Sequence, residues 1–282
     1  MKNPANSTTW FITGASSGFG LSFAQYALGR GYNVVATARN VAKLASLQAG
    51  APDRVLLHPL DVTVPGDATA AVAAAIVRFG SIDVLFNNAG FGIVGAVEET
   101  PDADFRAQME TNFFGAVNVT KAVLPHLRAR RSGAIVNISS MGGQLSFGGF
   151  GAYSASKFAL EGMSEALAQE VASFGIKVLI VEPGAFRTSF AADSLKHMPV
   201  MEAYRDVIGG TRAFAHGMDG TQAGDPAKAA AAIDQALQAN PTPLRLQLGT
   251  DAVTSVRAHS EQLLKDLSAW EKIGTAMDFD RS

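Results

Sequence analysis

Short runs rich in β-branched and aromatic residues, TTWFIT, NVVATA, RVLLHP, IDVLFN, GAIVNI and IKVLIV, with a late one in LRLQLG, punctuate the whole chain. Between them stand LSFAQYALGRG, DATAAVAAAIVRFG, DADFRAQMETNFFGAVNVTKAVLPHLRARR and SKFALEGMSEALAQEVASFG, which carry helical periodicity and in several cases end at glycine. Strand and helix in strict alternation leave few architectures open. Each helix has to cross back over a sheet so that the next strand runs parallel to the last, with right-handed crossovers and helices on both faces. Strands such as KVLIV, apolar on both sides, fit a sheet covered above and below. The expectation is a doubly wound α/β fold with about seven parallel strands, in which ligands bind beyond the carboxyl ends of the strands.

A chain of 282 residues that is 48% hydrophobic and only 17% charged can fill one large core, and a single domain over 1–282 is expected. No apolar run reaches the roughly 20 residues of a bilayer span, and MKNPANSTTW lacks the apolar stretch of a signal peptide, so the reading is a soluble, cytoplasmic protein. The absence of cysteine rules out disulfides, thiolate nucleophiles and sulfur-ligated zinc. His58, His126, His197, His216 and His259 lack ligand spacing, so no metal site is expected. A formal charge of −2 without a basic block argues against nucleic acid as the partner.

Two stretches depart from the alternation. Residues 188–225 carry His197, Met198, Pro199, Met201, Gly209, Gly210, Gly217 and Gly220 without a clear strand, and are read as a mobile apolar lid over a substrate. Residues 250–275 read as a C-terminal amphipathic helix whose Trp270 and leucines pack in a core or an interface. The long helices around Ala103 to Arg131 and Tyr153 to Phe174 are candidates for pairing across a two-fold axis in a homodimer or homotetramer.

Directly after the first strand comes Thr13-Gly14-Ala15-Ser16-Ser17-Gly18-Phe19-Gly20, followed by a helix. Glycine there permits a tight turn and close approach of backbone to a pyrophosphate, while the helix N-terminus offers amide donors and a favourable dipole. The spacing G-x-x-x-G-x-G differs from G-x-G-x-x-G, and the P-loop lysine is missing. At the end of the second strand Ala38 stands where a carboxylate would take the ribose 2′-hydroxyl, and Arg39 follows. An arginine binds a 2′-phosphate that a carboxylate would repel, so NADP is preferred over NAD. Asp61-Val62, after the third strand, is placed to meet the adenine edge, to cap the helix that follows, or both.

Tyr153 and Lys157, in YSASK, stand four residues apart and thus on one helix face. A lysine cation held beside a phenol favours the phenolate, and such a tyrosine can exchange a proton with an alcohol or carbonyl oxygen. Phe91, Met141, Leu145, Phe147, Phe150, Phe186 and Phe190 are candidates for an apolar pocket near this pair.

With Thr13-Gly14-x-x-x-Gly18-x-Gly20, Asn87-Asn88-Ala89-Gly90, Asn112, Ser140, Tyr153-x-x-x-Lys157 and Pro183-Gly184 in this order, residues 8 to 190 resemble the short-chain dehydrogenase/reductases, and within them the retinol- and hydroxysteroid-dehydrogenase-like branch. The resemblance implies a Rossmann-type fold and carbonyl–alcohol interconversion by hydride transfer with a nicotinamide cofactor. It implies that Tyr153 is the general acid/base and that Lys157 binds the nicotinamide ribose and lowers the tyrosine pKa. Ser140 would hydrogen-bond the substrate oxygen, with Ser139 structural, and Asn112 would hold a relay water and kink its helix. Gly14, Ser16, Ser17, Gly18, Phe19 and Gly20 would take the diphosphate; Asn88, Ala89 and Gly90 would line the cofactor; Pro183, Gly184, Phe186 and Thr188 would meet its nicotinamide end. Two other readings share these features: a dinucleotide-binding regulator without redox turnover, and a nucleotide-sugar epimerase or dehydratase, which usually has a longer C-terminal substrate domain.

Overall fold

The computed structural model describes residues 7–279. Residues 1–6, on which the expectation of a leaderless N-terminus partly rests, lie outside the described residues, as do residues 280–282. Seven strands, β1 (Thr9–Ile12), β2 (Asn33–Ala38), β3 (Val55–Pro59), β4 (Val84–Asn87), β6 (Gly133–Ile138), β7 (Ile176–Pro183) and β9 (Arg245–Leu248), form one sheet in the order β3-β2-β1-β4-β6-β7-β9. Every neighbouring pair is parallel. The order runs outward one way from β1 to β3 and the other way from β4 to β9, so the carboxyl ends of β1 and β4 flank the switch point.

Two-residue periodicity divides the strands between two cores. Trp10, Ile12, Val34, Ala36 and Phe86 face one layer, built from α1 (Gly18–Gly29), the short α2 (Ala45–Gly50) and α9 (Pro226–Gln238). Phe11, Val35, Leu85, Ile135 and Val178 face the other, built from α3 (Pro65–Phe79), α5 (Gly115–Arg130) and α6 (Gly151–Ala172). The alanines of α3, Ala68, Ala71 and Ala75, are buried against the sheet, where a side chain without bulk brings the helix close.

The structure differs from the sequence reading in three places. The single long helix expected over residues 102–131 is α4 (Asp102–Met109) and α5 joined by a π-helical turn, Glu110–Phe114, which contains Asn112. The segment read as strandless contains β8 (Leu195–His197), paired in parallel with β5 (Gly92–Val94) outside the main sheet, together with α7 (Phe190–Asp193) and α8 (Gly209–Gly217). Three-residue strands carry too few alternating positions to announce themselves. The C-terminal helix, α10 (Thr250–Gly274), forms as expected but is not core: only Ala252 is buried, and Trp270 is 67% exposed.

A buried polar chain fastens the helices to the sheet. Asn87 Nδ2 donates to Thr120 Oγ1 at 2.9 Å and to Asn137 Oδ1 at 2.8 Å, and Asn137 Nδ2 donates to Ser164 Oγ at 2.7 Å, linking β4 and β6 to α5 and α6. Removing one partner from such a chain strands the others without water. Asn137→Ala is therefore expected to lower unfolding free energy by about 2–3 kcal/mol, measured by urea denaturation; an unchanged midpoint would show the chain to be dispensable.

Candidate active site

The turn after β1 sits at the switch point and is built to admit a phosphate. Gly14 (φ +65) and Gly18 (φ +53) occupy the left-handed region, where other residues are strained. At Gly20 space decides: an added Cβ would lie 2.3 Å from the Gly14 carbonyl oxygen and 2.6 Å from Asn88 Nδ2. The turn then delivers the free N–H groups of α1 into the cleft. The Thr13 hydroxyl closes it from beneath, accepting from the Asn88 and Ala89 amides at 2.9 and 3.0 Å, while Asn88 Nδ2 donates to the Thr13 and Gly14 carbonyls at 2.9 and 3.2 Å.

One cleft of about 1510 Å³ runs along the carboxyl ends of the strands. Of the positions predicted from sequence it brings together Gly14, Ser16, Ser17, Gly18, Phe19, Arg39, Asp61, Val62, Asn88, Ala89, Gly90, Ser140, Tyr153, Lys157, Pro183, Gly184, Phe186 and Thr188. Gly20 lies beneath the wall and acts through the space it leaves. Asn112 lines no part of it: its side chain accepts from Phe91 N at 3.0 Å and donates to Phe91 O at 2.9 Å and Ser156 Oγ at 3.0 Å, bracing the exit of β4 against α6. Of the predicted apolar pocket, Phe91, Met141, Phe147, Phe150, Phe186 and Phe190 line the cleft, and Leu145 does not. Leu145, in the segment between β6 and α6, is buried. Phe186 packs against Phe19 at 5.0 Å between ring centroids, on the turn side of the cleft.

Just past the carboxyl end of β3, Asp61 is held by Thr63, whose amide and hydroxyl donate to Oδ1 at 2.9 and 2.7 Å, and these bonds, aided by the Arg39 charge, keep its carboxyl below the usual range. Exposed Arg39 is joined on the cleft wall by Lys43, which the sequence reading overlooked. Lys43 is four residues on from Arg39, in a 3₁₀ turn that Asn40 caps by accepting from the Ala42 amide at 3.0 Å. That i, i+4 spacing beside an N-cap residue was the available signal.

At the reaction end α6 sets Tyr153 and Lys157 on successive turns. Lys157 Nζ donates to the Ile138 carbonyl at 2.8 Å and lies 5.7 Å from the Tyr153 ring centroid. The Ser140 hydroxyl, fixed by the Gly142 amide at 3.0 Å, hydrogen-bonds the phenol. The sequence reading expected Lys157 to lower the tyrosine pKa; in the protein alone the direction is the opposite. Burial pushes the Tyr153 phenol up to about 12, and the Ser140 bond offsets only part of this. Burial likewise brings Lys157 down to about 8, against the pull of Glu161. The ammonium is directed at a backbone carbonyl and does not offset the burial of the phenol.

Residues 188–225 contribute to the cleft wall. Ser189, Phe190, Ser194, Leu195, Thr211 and Phe214 face the cleft from this segment. It is tied down by Arg212 on buried Glu99 at 2.6 Å and by Lys196 on Asp104. His197 and His216, nineteen residues apart, stack at 3.9 Å. Among the described residues no cluster of three or more His, Asp or Glu is placed to hold a metal ion, and no helix is long and apolar enough to cross a membrane.

A parallel sheet with a glycine turn at its switch point, a cleft that fits a dinucleotide, and a serine, tyrosine and lysine gathered at its inner end define an NAD(P)-dependent oxidoreductase acting on CH–OH groups. The comparisons with known proteins agree. The sequence profile described as short chain dehydrogenase matches residues 8–199, and the chain belongs to that family. Oxidoreductase BOA17 of Botryotinia fuckeliana is 41% identical over 268 residues, 95% of this chain and 98% of the relative. The 3-ketodihydrosphingosine reductase of Bacteroides thetaiotaomicron is 48% identical over 179 residues, 64% of each chain. A short-chain dehydrogenase from Streptomyces avermitilis superposes with a TM-score of 0.92 at 48% identity, covering 97% of this chain and 99% of its own. The fold also recurs in ElxO with NADP bound (TM-score 0.72, 25% identity, covering 88% and 99%) and in a Burkholderia phymatum enzyme in complex with NAD (0.80, 22%, covering 94% and 96%).

Proposed function

We propose that the protein is a cytoplasmic NADP(H)-dependent oxidoreductase that interconverts a carbonyl and a primary or secondary alcohol on a small apolar substrate, with Tyr153 as general acid/base. The gathering of Ser140, Tyr153 and Lys157 at the inner end of the cleft carries this reading. The nicotinamide, when bound, supplies or accepts the hydride. The chain's own part is to hold the substrate oxygen and to manage one proton. A phenol held protonated keeps a proton available for a carbonyl oxygen that gains charge, and the Ser140 hydroxyl gives that oxygen a second partner. Lys157, next along the helix, is placed to return the proton. Asn112, bound to Ser156 of the same helix, fixes the height of that helix against β4. A regulator without turnover has no use for this arrangement of donor and reservoir.

The substrate end is walled by Phe91, Met141, Phe147, Phe150, Phe190 and Phe214, which supports an apolar compound. Residues 188–225 would act as the cover that excludes water from it, anchored through Arg212 and Lys196. At the other end, Arg39 and Lys43 give the 2′-phosphate two cations, and no carboxylate of β2 opposes them. We also infer that copies of the chain associate through α10. Val256, Leu263, Leu267 and Trp270 recur at alternating spacings of three and four around Ser260, with Leu263, Leu267 and Trp270 more than half exposed, which is the seam that two such helices bury against each other.

Tyr153→Phe is expected to cost at least about a thousandfold in turnover of an aldehyde or ketone by NADPH, with NADPH affinity within about twofold; wild-type turnover in this variant would exclude the phenol as the acid. Arg39→Ala should raise the Michaelis constant for NADPH about tenfold and leave that for NADH nearly constant, each doubly charged contact being worth roughly 1.5–3 kcal/mol. Equal changes for both would remove the cofactor preference. In sedimentation velocity Trp270→Asp with Leu267→Asp should shift the species to a lower mass than wild type; identical profiles would place any interface elsewhere.

A further inference from the structure

Behind the site, α6 continues its cleft-facing row. Tyr153, Lys157, Glu161 and Glu165 occupy successive turns, and Glu161 is buried. Glu182 of β7, directly before Pro183-Gly184, is wholly buried beside it. One cation serves all the carboxylates: Arg245 of β9 reaches Glu161 at 3.0 Å, Glu165 at 2.7 Å and Glu182 at 3.1 Å. Gln144 donates to Glu161 at 3.1 Å and to Glu182 at 3.4 Å, and Gln247 donates to Glu182 at 2.6 Å. The Ser139 hydroxyl lies against Glu161. The carboxylate of Asp251, on α10, is committed to the Ala185 amide at 2.7 Å.

Counting charge exposes an imbalance. Two ionised buried carboxylates face one guanidinium, which half-exposed Glu165 also draws upon. The next cation along the row is Lys157, on which Glu161 acts as a countercharge. Like carboxylates this close cannot both ionise at low cost, and the usual resolution is one proton held between them. Burial and the neighbouring Glu161 raise Glu182 toward neutrality, and burial raises Glu161.

We propose that Glu161 and Glu182 hold a single proton between them, and that its release to solvent past Glu165 leaves the extra negative charge that keeps Lys157 cationic. The two glutamates are then positioning residues, acting on the proton transfer through Lys157. With the proton in place, Arg245 neutralises the remaining carboxylate and Lys157 has no countercharge. With the proton gone, the pair exceeds Arg245 by one negative charge and the ammonium is favoured. The sign follows: Lys157 is held best above the pair's ionisation and below its own. The functional meaning rests on the assignment of Lys157 above, so the test uses the apoprotein and needs no substrate.

Infrared spectra of the apoprotein should show the carbonyl stretch of a buried carboxylic acid that disappears as pH rises through neutrality, and Glu182→Gln should lack it. In carbon-13 spectra of ε-labelled lysine, the Lys157 midpoint should fall by about one pH unit in Glu182→Gln. Glu165→Gln, a change at a half-exposed site that leaves the core untouched, frees Arg245 for the pair and should move the infrared transition to lower pH. No acid band in wild type, or a Lys157 midpoint unmoved in Glu182→Gln together with an unmoved transition in Glu165→Gln, would overturn the proposal. If Tyr153→Phe kept its turnover while these spectra behaved as expected, the catalytic assignment would fall and the shared proton would stand.

Discussion

The whole site hangs on the hydroxyl of Thr13. It donates to the Phe86 carbonyl at 3.1 Å and accepts two amides of the chain leaving β4, so a single buried oxygen joins the two strands where the sheet changes its winding direction. At a switch point adjacent connections leave on opposite faces, and the strand ends would splay into a water-filled gap if nothing spanned it. Asn88 answers from the other side by binding the Thr13 and Gly14 carbonyls. The glycine turn is thus pinned by both of its neighbours before any ligand arrives, and the cost of ordering it is met at folding.

That frame was legible in the sequence because it depends on periodicity and on backbone geometry. Strands buried on both faces read as unbroken apolar runs, and GAIVNI marks β6 to the residue. Positive φ at Gly14 and Gly18 is a demand that only certain residues meet, so the turn announces itself. The pairing of β5 with β8 and the Arg212–Glu99 tie were not legible. Each joins residues through tertiary contact, Arg212 and Glu99 being 113 positions apart, and no local pattern encodes such a meeting. Leu145 failed for a related reason: proximity in sequence to Ser140 and Tyr153 places a residue near the site and leaves open which way it faces.

The pKa reversal at Tyr153 shows what residue spacing leaves out. An i, i+4 pair on an exposed helix lets an ammonium stabilise a phenolate, and the expectation was built on that geometry. Here the same pair is buried, and desolvation penalises both charged forms at once, driving the phenol up and the ammonium down. The resting state is a protonated tyrosine beside a lysine that a small change of countercharge can titrate. Of the two, the phenol is held protonated and only Lys157 is brought toward neutral pH.

The π-helical turn at Glu110–Phe114 explains how the apolar wall joins this machinery. One extra residue in the turn re-phases α5 relative to α4, at the cost of poorer helical hydrogen bonding, and such turns persist where function holds them. What is gained is visible at Phe91. Gln108 and Asn112 both donate to its carbonyl, at 2.5 and 2.9 Å, and Asn112 also accepts its amide. The Phe91 backbone is therefore clamped on both polar groups, which leaves the ring as the part that meets the cleft. Asn112 reaches Ser156 with the same amide, and Ser156 Oγ in turn donates to the Tyr153 carbonyl at 2.7 Å. Three bonds therefore connect the Phe91 backbone to the backbone of Tyr153, so a shift at one displaces the other, and the side chain that touches no part of the cleft sets the distance across it.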